Sequence, residues 1–209
     1  MNRTFHSIGA NWLLLPILII GIVLILYGID WCLPDFCDVD ERSGFIPQVE
    51  NLLANREDKL RFNHPAHTEA YIVGGFIHTL DYVGLVDLDT ISKSRIALIA
   101  RLITGFAGVL SGLVLYAIVN KVFSRSLAGL STLLFLTNPM VIQLSKLYRP
   151  EIFLTTFLLI SFLFLLCYVE GEDDVYMGGA AFFVGLAMIS KYPGLIGLVP
   201  IVIVLMSKH

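Results

Sequence analysis

The fold is decided by residues 152–169, IFLTTFLLISFLFLLCYV, an unbroken run of uncharged and mostly apolar side chains. A helix of roughly 20 such residues crosses the hydrocarbon core of a bilayer. Charged residues flank the run on both sides, with Arg149 and Glu151 before it and Glu170 after it. The stretch therefore predicts a transmembrane helix with a polar mouth at each end.

The composition of the whole chain agrees with this prediction. The chain has 209 residues, of which 56% are hydrophobic and 15% are charged, and its mean hydropathy is +0.80. A soluble domain carries about 25% charged residues. The net charge of −3 argues against a nucleic-acid partner. We therefore expect an integral, multi-pass membrane protein whose main environment is the lipid bilayer.

Further apolar runs predict an all-α membrane protein with about six transmembrane helices. The predicted spans are Trp12–Ile29, Leu102–Val119, Leu127–Leu144, Ile152–Val169, Tyr176–Ser190 and Pro193–Met206. The last two are short, and residues 191–193 are interpreted as a tight turn between them. One module is expected over residues 1–209: a first span in 1–29, an outer loop in 30–94 and five further spans in 95–209.

The first loop has its own predicted structure. Apolar residues recur at helical spacing in about Gly44–Asn55 and Thr68–Val83, which predicts two amphipathic helices lying on the membrane surface. Twelve of the seventeen acidic residues lie between Asp30 and Asp89, which favours placing this long loop on the outer face. Cys32 and Cys37 could pair there if that compartment is oxidising.

Six charged residues at helix mouths fall on one membrane face, because odd-numbered connections share a face. They are Asp40, Glu41, Lys146, Arg149, Glu151 and Lys191. Convergence of acids and bases on one face indicates a site. Plainer interpretations exist: the first two acids could be ordinary loop charges, and the bases at helix ends could extend to lipid headgroups. For Lys191 the plainer interpretation is a structural anchor, but a functional role is favoured because Lys191 interrupts apolar sequence without a neighbouring charge.

Five short motifs occur in an order that resembles a known family. They are Asp40-Glu41, Asn63-His64-Pro65, Arg101-Leu102-Ile103-Thr104-Gly105, Tyr148-Arg149-Pro150-Glu151 and Gly185-Leu186-Ala187-Met188-Ile189-Ser190-Lys191. Together they resemble the GT-C membrane glycosyltransferases, in particular the protein mannosyltransferase and aminoarabinose-transferase branch. The resemblance covers only the N-terminal half of a usual family member.

This resemblance implies a reaction and a set of site residues. A hexose or pentose is transferred, with inversion, from a polyprenyl-phosphate donor to a glycan, lipid or protein acceptor at the outer face. Asp40 matches the family's general base, and Glu41 and Glu151 complete the expected catalytic acids. The cations expected to bind the lipid phosphate are Arg149, Lys191 and Lys146. His64 and His67 are predicted contacts to the acceptor, the donor or a metal, so a divalent metal stays open as a cofactor.

Two functional hypotheses remain at this level. The first is an enzyme of the cell envelope or of protein glycosylation, either a fragment or a split subunit whose missing helices a partner supplies. The alternative is a non-catalytic membrane subunit that binds a polyprenyl lipid or partner helices. The expected location is the plasma (inner) membrane, or the endoplasmic reticulum in a eukaryote. Whether the isolated chain is active depends on what the missing part contributes.

Overall fold

A computed structural model describes residues 12–56 and 67–207, and for His67 it describes the backbone alone. Within these ranges all regular secondary structure is helical and no strand occurs. The predicted all-α class is therefore confirmed. Helices suit this sequence because a membrane leaves no water to satisfy backbone groups, so that the chain must satisfy them within each span.

The described elements follow one another with short connections. They are α1 (Leu14–Leu26), a π-helical turn (Glu41–Phe45), α2 (Ile46–Leu53), α3 (His67–Tyr82), α4 (Lys93–Val122), α5 (Arg125–Leu136), α6 (Pro139–Lys146), α7 (Pro150–Gly171), α8 (Asp174–Ser190), a 3-10 helix (Tyr192–Gly197) and α9 (Leu198–Ser207). The tight turn predicted between the last two spans is thus a 3-10 helix, which continues directly into α9.

The predicted count of six spans is not confirmed. In the described ranges, α4 and α7 are long and apolar enough to cross a membrane. Helices α5 and α6 make a third candidate span only as a pair that is bent by 58°. The bend follows from Asn138-Pro139: proline cannot donate a backbone hydrogen bond, and the Asn138 side chain instead caps Met140 N at 2.9 Å. The remaining apolar helices are shorter than a full span.

Helices α4 and α7 pack side by side and form the frame of the site. A buried hydrogen bond of 2.7 Å joins the hydroxyls of Ser111 in α4 and Thr156 in α7. Small residues allow close approach elsewhere in the bundle, since Gly179 of α8 lies against the ring of Phe164 in α7. As a result, the N-terminus of α7 and the C-terminus of α8 lie near the same end of the helix bundle.

Both predicted loop helices are present, and they pack on the bundle. Ile46 and Val49 of α2 and Val73 and Ile77 of α3 are fully buried. They belong to one core with residues of α4 and α7, namely Ile96, Ala97, Ala100, Ile152 and Phe153. The buried residues of both helices therefore contact protein, whereas Tyr71, Ile72 and Phe76 on α3 are exposed. Whether that exposed part lies in the membrane interface stays a prediction. Cys32 and Cys37 form a disulfide just before this region, as their spacing allowed.

Candidate active site

Arg149 is the centre of the first of two ion-pair groups. It precedes Pro150, the first residue of α7, so the guanidinium lies at the mouth of that helix. Nη1 donates to Asp40 Oδ2 at 2.5 Å, and Nη2 donates to Asp38 Oδ2. Burial lowers the pKa of Arg149, but the hydrogen bonds and charges of the two aspartates outweigh it and raise the pKa overall. Arg149 is therefore a permanent cation held by two carboxylates.

Lys191 forms the second group, at the C-terminus of α8. Its Nζ donates to Glu151 Oε1 at 2.7 Å, and both side chains are about one-third exposed. The sequence shows no charge beside Lys191, but the fold brings it a partner from 40 positions earlier. Ser190, the preceding residue, is fully buried, which fixes the backbone from which Lys191 extends.

The two groups are connected through three consecutive residues, Arg149-Pro150-Glu151. Four of the residues predicted for the site, Asp40, Arg149, Glu151 and Lys191, are therefore brought together around the first turn of α7. The N-terminus of a helix carries a partial positive charge and unpaired N–H groups. Both cations next to this terminus are paired with carboxylates, so an anion such as phosphate would bind there in place of one of those carboxylates.

Glu41 lies next to Asp40 in sequence but in a different environment. It is completely buried, and its carboxylate accepts two hydrogen bonds from Arg101, at 2.8 and 2.6 Å. Oε1 also accepts from Tyr148 N at 3.1 Å. Arg101 in turn donates to the carbonyl oxygens of Ile29 and Trp31 at 2.8 and 2.9 Å. This buried pair thus joins the first loop, α4 and the segment before α7.

Glu69 is a buried acid of the site region that the sequence interpretation missed. It lies in the first turn of α3 and is fully buried, and neither carboxylate oxygen has a hydrogen bond of ordinary geometry to any described residue. The one proton of the nearby Ser190 hydroxyl is donated to Leu186 O at 2.9 Å. Burial raises the pKa of Glu69 to about 7, and the negative charge of Glu151 adds to the rise.

Tyr148 completes this part of the site from the segment between α6 and α7. Its side chain is buried, its ring packs edge-on against Phe45, and its hydroxyl has no hydrogen-bond partner among the described residues. Burial raises the pKa of Tyr148 well above its usual value, and the charge of Glu69 contributes in the same direction. The phenol is therefore neutral, and the Glu69 carboxyl near it is partly protonated and partly ionised near pH 7.

Lys146, a further predicted residue, is not part of these two groups. Lys146 lies over the ring of Tyr27, 5.7 Å from its centroid. Both line a cleft of about 300 Å³ together with Gly28, Trp31, Arg101, Gln143 and Leu147. His64 lies outside the described residues, and so does the side chain of His67. Within the described ranges no group of three or more His, Cys, Asp or Glu side chains is arranged to hold a metal ion.

Three residues of the site region were not predicted as site residues: Asp38, Arg101 and Glu69. They differ in how far the sequence indicates their burial or their partners. For Glu69 a signal was present, because positions 69, 73 and 77 form one i, i+4 ridge, and the other two are the buried Val73 and Ile77. An acid on that ridge has to be buried. Nothing in the local sequence identifies the partners of Asp38 and Arg101, since those lie 111 and 60 positions away.

Comparison with known proteins identifies the family. The model of the dolichyl-phosphate-mannose-protein mannosyltransferase family matches residues 92–209, more than half of the chain. This range contains Arg101, Arg149, Glu151 and Lys191, whereas the first loop lies before it. No curated protein and no solved structure matches the chain. The apolar helices and the family match together make it a GT-C-type integral membrane glycosyltransferase that uses a dolichyl-phosphate-linked sugar. The chain belongs to the dolichyl-phosphate-mannose-protein mannosyltransferase family.

Proposed function

We propose that this chain transfers mannose from a dolichyl-phosphate donor to a hydroxyl group of a protein, with inversion, on the membrane face that carries its first loop. The observation that carries the proposal is the arrangement around Arg149-Pro150-Glu151, where two cations and an exposed carboxylate surround one helix N-terminus. The sugar and the protein acceptor come from the name of the matched family. The two loop helices, which pack beside this site, support the choice of face.

The roles of the residues follow from the reaction. The acceptor oxygen attacks the anomeric carbon, the bond from that carbon to the phosphate oxygen breaks, and the electron pair leaves with dolichyl phosphate. Asp40 accepts the acceptor proton, because its carboxylate is more than half exposed and can meet an incoming hydroxyl. Arg149 and Lys191 stabilise the negative charge that develops on the phosphate.

Glu41 and Glu151 take supporting roles in this proposal. Both oxygens of Glu41 already accept hydrogen bonds, from Arg101 and from Tyr148 N. Glu41 is therefore not available to accept the proton of the acceptor hydroxyl. Glu41 holds the segment that carries Asp40. Glu151 orients Lys191 through their 2.7 Å contact. Lys146 stays a predicted phosphate contact, in the cleft beside Tyr27.

The proposal is tested by transfer from radiolabelled dolichyl-phosphate-mannose to a peptide rich in serine and threonine, with the chain in detergent or nanodiscs. Asp40→Asn should lower the rate by about 10²–10⁴, the usual effect of losing a general base. Asp35→Asn is the matched control, because Asp35 is an exposed acid of the same loop, and its rate should stay unchanged. The anomeric configuration of the product, read by NMR, should be opposite to that of the donor.

Three results would contradict the proposal. Absence of transfer by the parent chain would leave the non-catalytic subunit hypothesis. A rate for Asp40→Asn within a factor of two of the parent would remove Asp40 from the mechanism. Retention of the donor's configuration would exclude direct displacement by the acceptor.

A further inference from the structure

The two aspartates that hold Arg149 differ in how firmly they are fixed. The side chain of Asp38 is 13% exposed and that of Asp40 is 56% exposed. Asp38 also accepts a hydrogen bond from Glu41 N at 2.8 Å through its other oxygen. Asp40 contacts Arg149 through Oδ2 at 2.5 Å. One carboxylate is therefore part of the folded framework, and the other faces water.

This difference matters because Arg149 is the cation proposed to receive the donor phosphate. An exposed ion pair contributes little stability, about 0–1 kcal/mol, so an incoming anion can replace its carboxylate at small cost. A partly buried carboxylate with a second hydrogen bond is harder to replace. The guanidinium also has an unused donor, since Arg149 Nε has no hydrogen-bond partner among the described residues.

We propose that Asp38 is a positioning residue that keeps Arg149 in place, and that the donor phosphate displaces Asp40 from Arg149 and so releases the base. This inference rests on the proposed function. Before the donor arrives, Asp40 Oδ2 accepts a hydrogen bond from the guanidinium, so that this oxygen is not open to the acceptor hydroxyl. When the phosphate takes that place on Arg149, the Asp40 carboxylate is free to accept the proton. The donor consequently binds before the acceptor reacts.

The inference predicts opposite effects for the two aspartates on phosphate binding. The probe is dolichyl monophosphate in detergent micelles, and its dissociation constant is measured at moderate salt by calorimetry. Asp40→Asn should bind the probe about threefold to tenfold more tightly, because a competitor that occupies most of the cation is removed. Asp38→Asn should bind it more weakly, since Arg149 loses its fixed partner. Asparagine can still accept from Glu41 N at position 38, so the local fold is retained.

A matched variant separates displacement from general charge repulsion. Removing any acid near an anion site favours the anion, but exposed charges are largely screened at moderate salt. Asp35→Asn removes one charge from the same loop and should change the dissociation constant by less than about twofold. Arg149→Gln should weaken binding strongly. Adding Asp40→Asn to Arg149→Gln should give no further gain, because the competition exists only on Arg149.

The binding measurements distinguish the displacement of Asp40 from the phosphate role of Arg149. Tighter binding by Asp40→Asn that disappears without Arg149 supports the displacement. If Arg149→Gln weakens binding but Asp40→Asn leaves it unchanged or weaker, the displacement is overturned and the proposed phosphate site survives. If Arg149→Gln has no effect on binding, the phosphate role of Arg149 fails as well. Tighter binding by Asp38→Asn would show that both aspartates are competitors and that neither is a positioning residue.

Discussion

Two arginines near the same loop hold carboxylates in contrasting ways. The pair of Arg101 with Glu41 is buried, with both side chains at most 1% exposed, and every oxygen of the acid is used. Arg149 shares its guanidinium between two acids and is 20% exposed. A buried pair that loses one member leaves an uncompensated charge, whereas an exposed pair exchanges its partner easily. Burial therefore favours a structural role for Arg101, and the more exposed Arg149 is the arginine that we propose binds a ligand.

Breaking the buried pair of Arg101 and Glu41 should cause the largest loss of stability. Glu41→Ala leaves the Arg101 guanidinium buried without its partner, which typically costs about 3–5 kcal/mol. We expect a much lower melting temperature in detergent and loss of folded protein on size-exclusion chromatography. Arg101→Met should be comparably unstable.

The double change provides the control for this prediction. Glu41→Ala combined with Arg101→Met should be less destabilising than the sum of the single changes, because the unpaired charge is absent. Strict additivity would show that the two side chains do not act as a pair.

The second prediction concerns Glu69, which is buried and forms no ion pair with a cation among the described residues. Its pKa in the fold is about 7, against 4.5 for an exposed glutamate. The folded state then binds more protons than the unfolded state between these values, so the free energy of unfolding falls as the pH rises from 4.5 to 7, by roughly 3 kcal/mol. Glu69→Gln should remove this dependence.

The measurement is a pair of melting curves, at about pH 5 and about pH 8, for the parent and for Glu69→Gln. The variant should be the more stable protein at the higher pH and should differ little at the lower pH. A constant difference at both values would mean that the effect comes from packing and that Glu69 does not titrate in this range.

The third prediction applies to Lys191 and separates binding from stability. Lys191→Met should weaken binding of dolichyl monophosphate by about tenfold or more, because hydrogen bonds to charged groups contribute about 1.5–3 kcal/mol. Its melting temperature should stay close to that of the parent, since the pair with Glu151 is partly exposed. Unchanged binding together with lower stability would make Lys191 a structural anchor.

A variant with both Lys191→Met and Arg149→Met extends this test. If both cations contact one phosphate, the loss in the double variant should be smaller than the product of the single losses. Independent, multiplying losses would indicate two separate anions or two separate sites.

The smallest effect is expected for the exposed pair of Lys93 and Glu50, which joins α4 to α2 at 3.2 Å. Both side chains are more than one-third exposed. Glu50→Gln should change the melting temperature and donor binding very little, because such pairs contribute at most about 1 kcal/mol. A large loss of stability in Glu50→Gln would contradict the claim that buried ion pairs stabilise this protein and exposed ones contribute little.

Much of the fold could be predicted from the sequence because helices and apolar runs are local features. The runs at 102–119 and 152–169 lie within α4 and α7, and both loop helices are where their periodicity placed them. The third predicted span is broken at Asn138-Pro139 into α5 and α6, and it is a candidate span only as this bent pair. Whether each apolar helix crosses the membrane depends on length and bending, and apolar composition alone does not decide these.

Part of the candidate site could also be predicted, because some of its residues are recognisable from the local sequence. The residues at the helix mouths were found because a charge in apolar sequence is conspicuous. The partners were not, since contacts such as Arg149 with Asp38 join positions 111 apart. The sequence also could not show that Asp40 is exposed and Glu41 is buried, because adjacent acids look alike in a sequence. Burial separates them, and burial is decided by the whole fold.

The π-helical turn Glu41–Phe45 has a consequence for length variation in this protein. A π-turn holds one residue more than an α-turn, and each residue in a helix rotates the chain by about 100°. Deleting one residue, such as Ser43, would therefore turn the preceding residues by about that angle relative to α2. Asp40 and Glu41 could then no longer both meet their arginines. Side chains on the exposed side of this turn can vary, but the number of residues in it cannot.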